Sequence, residues 1–159
     1  MSGYMATAKR TNHGTPRDFY RALNEVYHFT LDVAATKKNK MAPDYIGRRQ
    51  NALKPSTHWT GRVFVNPPYG KGLERWVGKA IVEVATNHAE FVVMLLPAYP
   101  DRKWFPALHV FSTRITFLTG RLHFRGAKDS APFPSMYAVI QKKDGDTTRY
   151  SVRPVKMPV

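Results

Sequence analysis

The chain has 159 residues, 43% of them hydrophobic, with 12 prolines and no cysteine. That length suits one domain with its own core, and the missing cysteine excludes disulfides, thiolate metal ligands and a thiol nucleophile. A formal net charge of +14 points to a polyanionic partner, while no apolar run is long enough to span a membrane and the first residues carry no signal-peptide stretch.

Residues 1–14 are polar and read as a flexible leading segment. "TPRDFYRALNEVYH" predicts a helix with Thr15 as N-cap, Pro16 at the first helical position, Asp18 in the first turn, and Phe19, Ala22, Leu23 and Val26 on one face. "FTLDVAAT" reads as a strand ending near Asp32. The stretch 37–59 is polar, basic and irregular, with short helical turns at most. A strand over 62–66, a helix over 74–86 and the apolar strand "FVVMLLP" at 91–97 follow. A short helix over 104–109 then leads to the strand "RITFLTG". "RLHF" and "MYAVIQK" are expected to form an antiparallel closing pair around the loop "GAKDSAPFPS". Residues 144–159 read as a basic C-terminal tail with one edge strand near 149–152, which leaves 15–143 as the main folded unit and no segment for a separate target-recognition domain.

Strands alternating with helices predict an α/β fold with a mainly parallel sheet and antiparallel closing strands. Ligands of such sheets bind at the carboxyl ends of the strands. Three of those ends carry unusual chemistry: "LDVAAT", "VNPPYG" and "LLPAYPD". In the second, Val63 to Val65 run without alternation, as in a strand covered on both faces. Pro67 and Pro68 cannot extend it, because neither has an N–H for the ladder. Asn66, Pro67, Pro68 and Tyr69 therefore make a rigid corner at a strand's carboxyl end.

These segments, with "WF", "GRLHF" and "APFPS", together resemble the phage-type DNA N6-adenine methyltransferase (Dam) family over most of the chain. The resemblance implies a Rossmann-like, S-adenosylmethionine-dependent methyltransferase fold, and the short spacing between Asp32 and Asn66 predicts that its sheet is trimmed. It also implies methyl transfer to the N6 amine of adenine in DNA by a phage or prophage protein in the bacterial cytoplasm. The corner suits that chemistry. An aromatic amine is a poor nucleophile until its N–H groups are held by acceptors that turn its lone pair toward the donor; the Asn66 side chain and the Pro67 carbonyl offer two. Tyr69 would stack on a base flipped out of the duplex. Cytosine C5 methylation needs a cysteine nucleophile and is excluded.

By the resemblance, Thr15, Pro16, Asp32 and Ala34 lie against the donor. So does Asn51, where the family commonly has an aspartate facing the donor's adenine. Lys37, Lys38 and Arg121 are candidate DNA contacts, and Phe133 a candidate second face for the base opposite Tyr69. Only 34 positions separate Asp32 from Asn66, too few for two complete βα units, and Asp44 is the remaining candidate acid for the ribose. The six histidines show no ligand spacing, so no metal site is expected. Other planar amines (cytosine N4, adenine in RNA, a glutamine amide) and a catalytically inactive basic DNA-binding protein stay open as alternatives.

Overall fold

The computed structural model describes residues 14–156. Apart from Gly14, the leading segment 1–14 lies outside them. In chain order they form helix α1 (Arg17–Tyr27), strands β1 (Leu31–Val33) and β2 (Asp44–Ile46), a 3-10 turn at Arg48–Gln50, β3 (Gly61–Val65), α2 (Leu73–Ala85), β4 (Ala89–Pro97), α3 (Phe105–Phe111), β5 (Ser112–Thr119), β6 (Ser135–Ile140) and β7 (Arg149–Pro154).

The seven strands make one sheet in the order β2-β1-β3-β4-β6-β5-β7. All neighbouring pairs are parallel except those of β6, which runs antiparallel to both β4 and β5. This is the mixed, mostly parallel sheet expected of a Rossmann-like methyltransferase fold. Because side chains alternate across a strand, one stretch of backbone serves two cores. Val63, Val65, Val92 and Met94 pack with Leu73, Val77, Trp104 and Leu108 of the α2 and α3 side. Phe64, Val93 and Leu95 pack with Phe19, Tyr20 and Leu23 of α1 on the opposite face. Helices cover both faces, which is why "VFV" and "FVVMLL" carry no polar alternation.

The trimming occurs between β1 and β3. Residues 34–43 cross from β1 to β2 without a helix, and the supposedly irregular stretch 37–59 contains β2, a strand of only three residues. Asp44 opens that strand opposite Leu31, at the far end from where the strands finish, so it is not placed to hold a ribose there.

Three further expectations are corrected. Pro16, not Thr15, holds the cap position of α1, with ψ of 131° and no side-chain cap; a residue so extended cannot begin the helix, and the Thr15 hydroxyl is engaged elsewhere. Val26 is 69% exposed, and Tyr20 takes its place in the core. "RLHF" is not a strand. Leu122 and Phe124 bury their side chains individually, and β6 closes the sheet by inserting between β4 and β5. The edge strand near 149–152 is present as β7, parallel to β5.

Candidate active site

β1, β3, β4 and β5 end along one edge of the sheet, and a cavity of about 630 Å³ opens there. Its wall includes Thr15, Asp32, Ala34, Asn51, Asn66 and Pro68. Six of the residues singled out from sequence thus meet in one place, although they are spread over more than fifty positions. Pro16, Pro67, Tyr69, Lys37, Lys38, Arg121 and Phe133 are not part of that wall.

Asp32 sits in the middle of β1, 5% exposed. One oxygen accepts a hydrogen bond from the Met41 amide at 2.9 Å, and no cation lies within ion-pair distance among the described residues. Burial pushes its carboxyl up to about 6, against the opposing pull of the Met41 amide and the more distant Arg125 charge. Ala34, two residues on, has a φ of 66°, a conformation disfavoured for any residue with a Cβ. It turns the chain sharply at the cavity wall, and both Ala34 and Ala35 donate their amides to the Ile46 carbonyl.

The corner after β3 is held from two sides. Asn66 Nδ2 donates to the Thr15 hydroxyl at 3.1 Å, which leaves its carbonyl oxygen as the group available to a ligand. Among the described residues none donates to the Pro67 carbonyl. The Tyr69 hydroxyl donates to the carbonyl of Leu95 at 3.1 Å. Leu95 lies one position past the last β3–β4 pair, Val65 with Met94, so the tyrosine continues the attachment where β3 stops. Burial raises the Tyr69 phenol, which stays protonated as a donor. Its ring meets Phe133 edge to face, centroids 5.5 Å apart at 72°, so a base stacked between them requires Phe133 to swing aside.

Sequence reasoning did not single out Arg125. Its Nε donates to the Thr15 carbonyl at 2.8 Å and its Nη2 to the Asn39 carbonyl at 3.0 Å, while its backbone pairs with Gly14. It ties the start of α1 to the β1–β2 loop and so fixes two walls of the cavity. Those partners are 110 and 86 positions away, and no local pattern announces them. Lys37 and Lys38 are exposed on the same loop, whose Thr36 and Asn39 line the cavity. Arg121 is exposed, with no closer partner than its neighbour's carbonyl at 3.5 Å among the described residues.

Residues 4–149 match the family model of the DNA N-6-adenine-methyltransferases (Dam). The chain belongs to that family. A curated member, the DNA N-6-adenine-methyltransferase of Escherichia phage T1, is 34% identical over 102 residues, which make up 62% of this chain and 40% of that protein. The match therefore spans about two fifths of the relative's length, while the Dam family match itself runs across α1, the cavity and the whole sheet up to the start of β7. No helix among the described residues is long and apolar enough to cross a membrane.

Proposed function

We propose that the protein transfers the methyl group of S-adenosylmethionine to the N6 amine of adenine in DNA, within the cytoplasm of a bacterial host. One observation carries the reading: a buried carboxylate with no ion-pair partner among the described residues and an amide with a free carbonyl share one cavity wall at the carboxyl edge of the sheet. Asp32 suits a cationic ligand and Asn66 suits an N–H donor, which are the complementary needs of the donor and of the base.

S-adenosylmethionine supplies an electrophilic methyl on a sulfonium. The chain's own residues do the rest. Asp32 would face the donor's charged amino-acid end, with Thr15, Ala34 and Asn51 around it. Asn66 Oδ1 and the Pro67 carbonyl would accept the two N–H groups of the amine, and Thr15 would hold the Asn66 amide so that its oxygen points outward. Tyr69 would stack on the flipped base, an interaction of roughly 1–3 kcal/mol that offsets part of the unstacking. Lys37, Lys38 and Arg121 would meet phosphates, which position a duplex without reading its sequence. The described residues fold into the sheet and its covering helices and form no separate recognition element, which favours a short or relaxed target. Replacing Lys37 and Lys38 together should weaken binding alike on unrelated DNA sequences and flatten its salt dependence, by about 0.9 in the log–log slope for each phosphate no longer neutralised.

The test is to incubate the protein with DNA and donor labelled in the methyl group, then digest the DNA and identify the labelled nucleoside. Label in N6-methyladenine is expected. Label in N4-methylcytosine would move the proposal to another amine, and no label at all would favour a DNA-binding protein without catalysis.

A further inference from the structure

We propose that His58, Glu83 and His88 form a binding site for one divalent ion of the zinc class, at the opposite edge of the sheet from the cavity. The site is independent of the methyl-transfer reading and departs from the expectation that the histidines bind no metal. The residues are 25 and 5 positions apart, a spacing that matches no ligand motif. The fold brings them together because β3 and β4 begin side by side while α2 ends above them. His58 precedes β3, His88 precedes β4, and Glu83 lies in the last turns of α2.

One ligand atom from each residue falls within 4.8 Å of the others, and each histidine Nδ1 is 3.4 Å from the same Glu83 Oε2. A charge-assisted hydrogen bond would close to about 2.7–2.9 Å. By contrast, zinc bonds of about 2.0–2.1 Å at tetrahedral angles set neighbouring ligand atoms about 3.3 Å apart. His88 Nδ1 also lies 2.8 Å from the Thr86 hydroxyl, a hydrogen bond that this ring exchanges for the ion. The two imidazole–carboxylate spacings match the edges of a metal site. Nitrogen, nitrogen and carboxylate oxygen are the donor set of an open zinc site, with the fourth position left to water.

The carboxylate is already fixed for that role. Glu83 is 1% exposed; its Oε1 takes the Lys79 ammonium at 2.6 Å and its Oε2 takes the Trp59 amide at 3.1 Å. Such outer partners orient a ligand and keep it ionised. The two imidazoles lie face to face, centroids 3.7 Å apart and 12° from parallel, so one ring must turn for an ion to lie in both ring planes. His58, with 45% of its side chain exposed, has the room to do so. The same exposure opens the site to solvent, so an ion has a way in.

The full chain, without an affinity tag and stripped with chelator, should be titrated calorimetrically with Zn²⁺ alone and, in parallel, with Co²⁺ followed by visible absorption. One Zn²⁺ per chain, a rise in melting temperature, and the intense absorption of four-coordinate cobalt are expected. His58→Ala replaces a half-exposed ring and should fold normally, yet bind at least about tenfold more weakly and lose the cobalt band. His88→Ala should do the same. Absence of stoichiometric uptake by the parent chain, or equal affinity in the parent and both variants, would overturn the site.

Discussion

The protein buries two carboxylates, one at each edge of its sheet, and treats them in opposite ways. At the carboxyl edge Asp32 has a single hydrogen-bond partner among the described residues, the Met41 amide, and burial pushes it up to about 6. At the other edge burial also raises Glu83, but the Lys79 ammonium and the Trp59 amide outweigh it and hold the group below its ordinary value. A carboxylate compensated from within the chain is kept ionised by its surroundings, whether or not an ion joins it, whereas one with no ion-pair partner is a standing destabilisation that a cationic ligand can relieve. The signs with pH follow. Glu83 stabilises the fold above the ordinary glutamate pKa, and that contribution is lost as the pH falls through its lowered value. Asp32 exacts no penalty below its ordinary 3.8; the penalty grows as the pH rises and is complete above about 6.

The contrast can be broken first at the compensated end. Lys79→Met leaves Glu83 buried without its ammonium and should destabilise the protein by about 3–5 kcal/mol at neutral pH, read by denaturant unfolding. At the cavity, Asn66→Ala should leave stability nearly unchanged but raise the barrier to methyl transfer by about 2.7–4 kcal/mol, so that turnover falls about 10²–10³-fold. Wild-type turnover in that variant would remove the amide from the chemistry. Asp32→Asn keeps an acceptor for the Met41 amide while deleting the charge. It should gain up to about 3 kcal/mol of stability at pH 8 and almost nothing at pH 3, a difference that melting curves at the two pH values resolve. The smallest effect belongs to Thr15→Val, which frees the Asn66 amide to rotate. A cost of about 1 kcal/mol, near fivefold in turnover, is expected, with Thr15→Ser recovering it.

How much of this was legible in the sequence differs between the same two edges. Strands β3 and β4 announced themselves because both of their faces are covered, which forces apolar residues to run on without a break. The corner 66–69 was legible because paired prolines can only end a ladder. β2 was not, since three residues of mixed exposure carry no periodic signal. Thr15 before Pro16 looks like a helix cap to any local rule; only the approach of Asn66, 51 positions away, reveals a different partner. Arg125 and Glu83 failed for one reason: a charged side chain is read as solvated unless its partner is known, and their partners are set by tertiary structure. Lys79 sits four residues before Glu83, a pairing ordinarily exposed on a helix surface, and nothing local says that this one is covered.

Calorimetric titration with S-adenosylmethionine, at pH 5 and pH 8, of the parent chain and of Asp32→Asn tests most directly whether the uncompensated carboxylate is the donor's partner. One donor should bind per chain. In the parent, affinity should be lower at pH 5, where Asp32 is protonated and its attraction for a cation is gone, than at pH 8, where it is ionised. Asp32→Asn should bind weakly at both values and lose the difference between them. Equal affinities for parent and variant, with the same dependence on pH, would contradict the assignment.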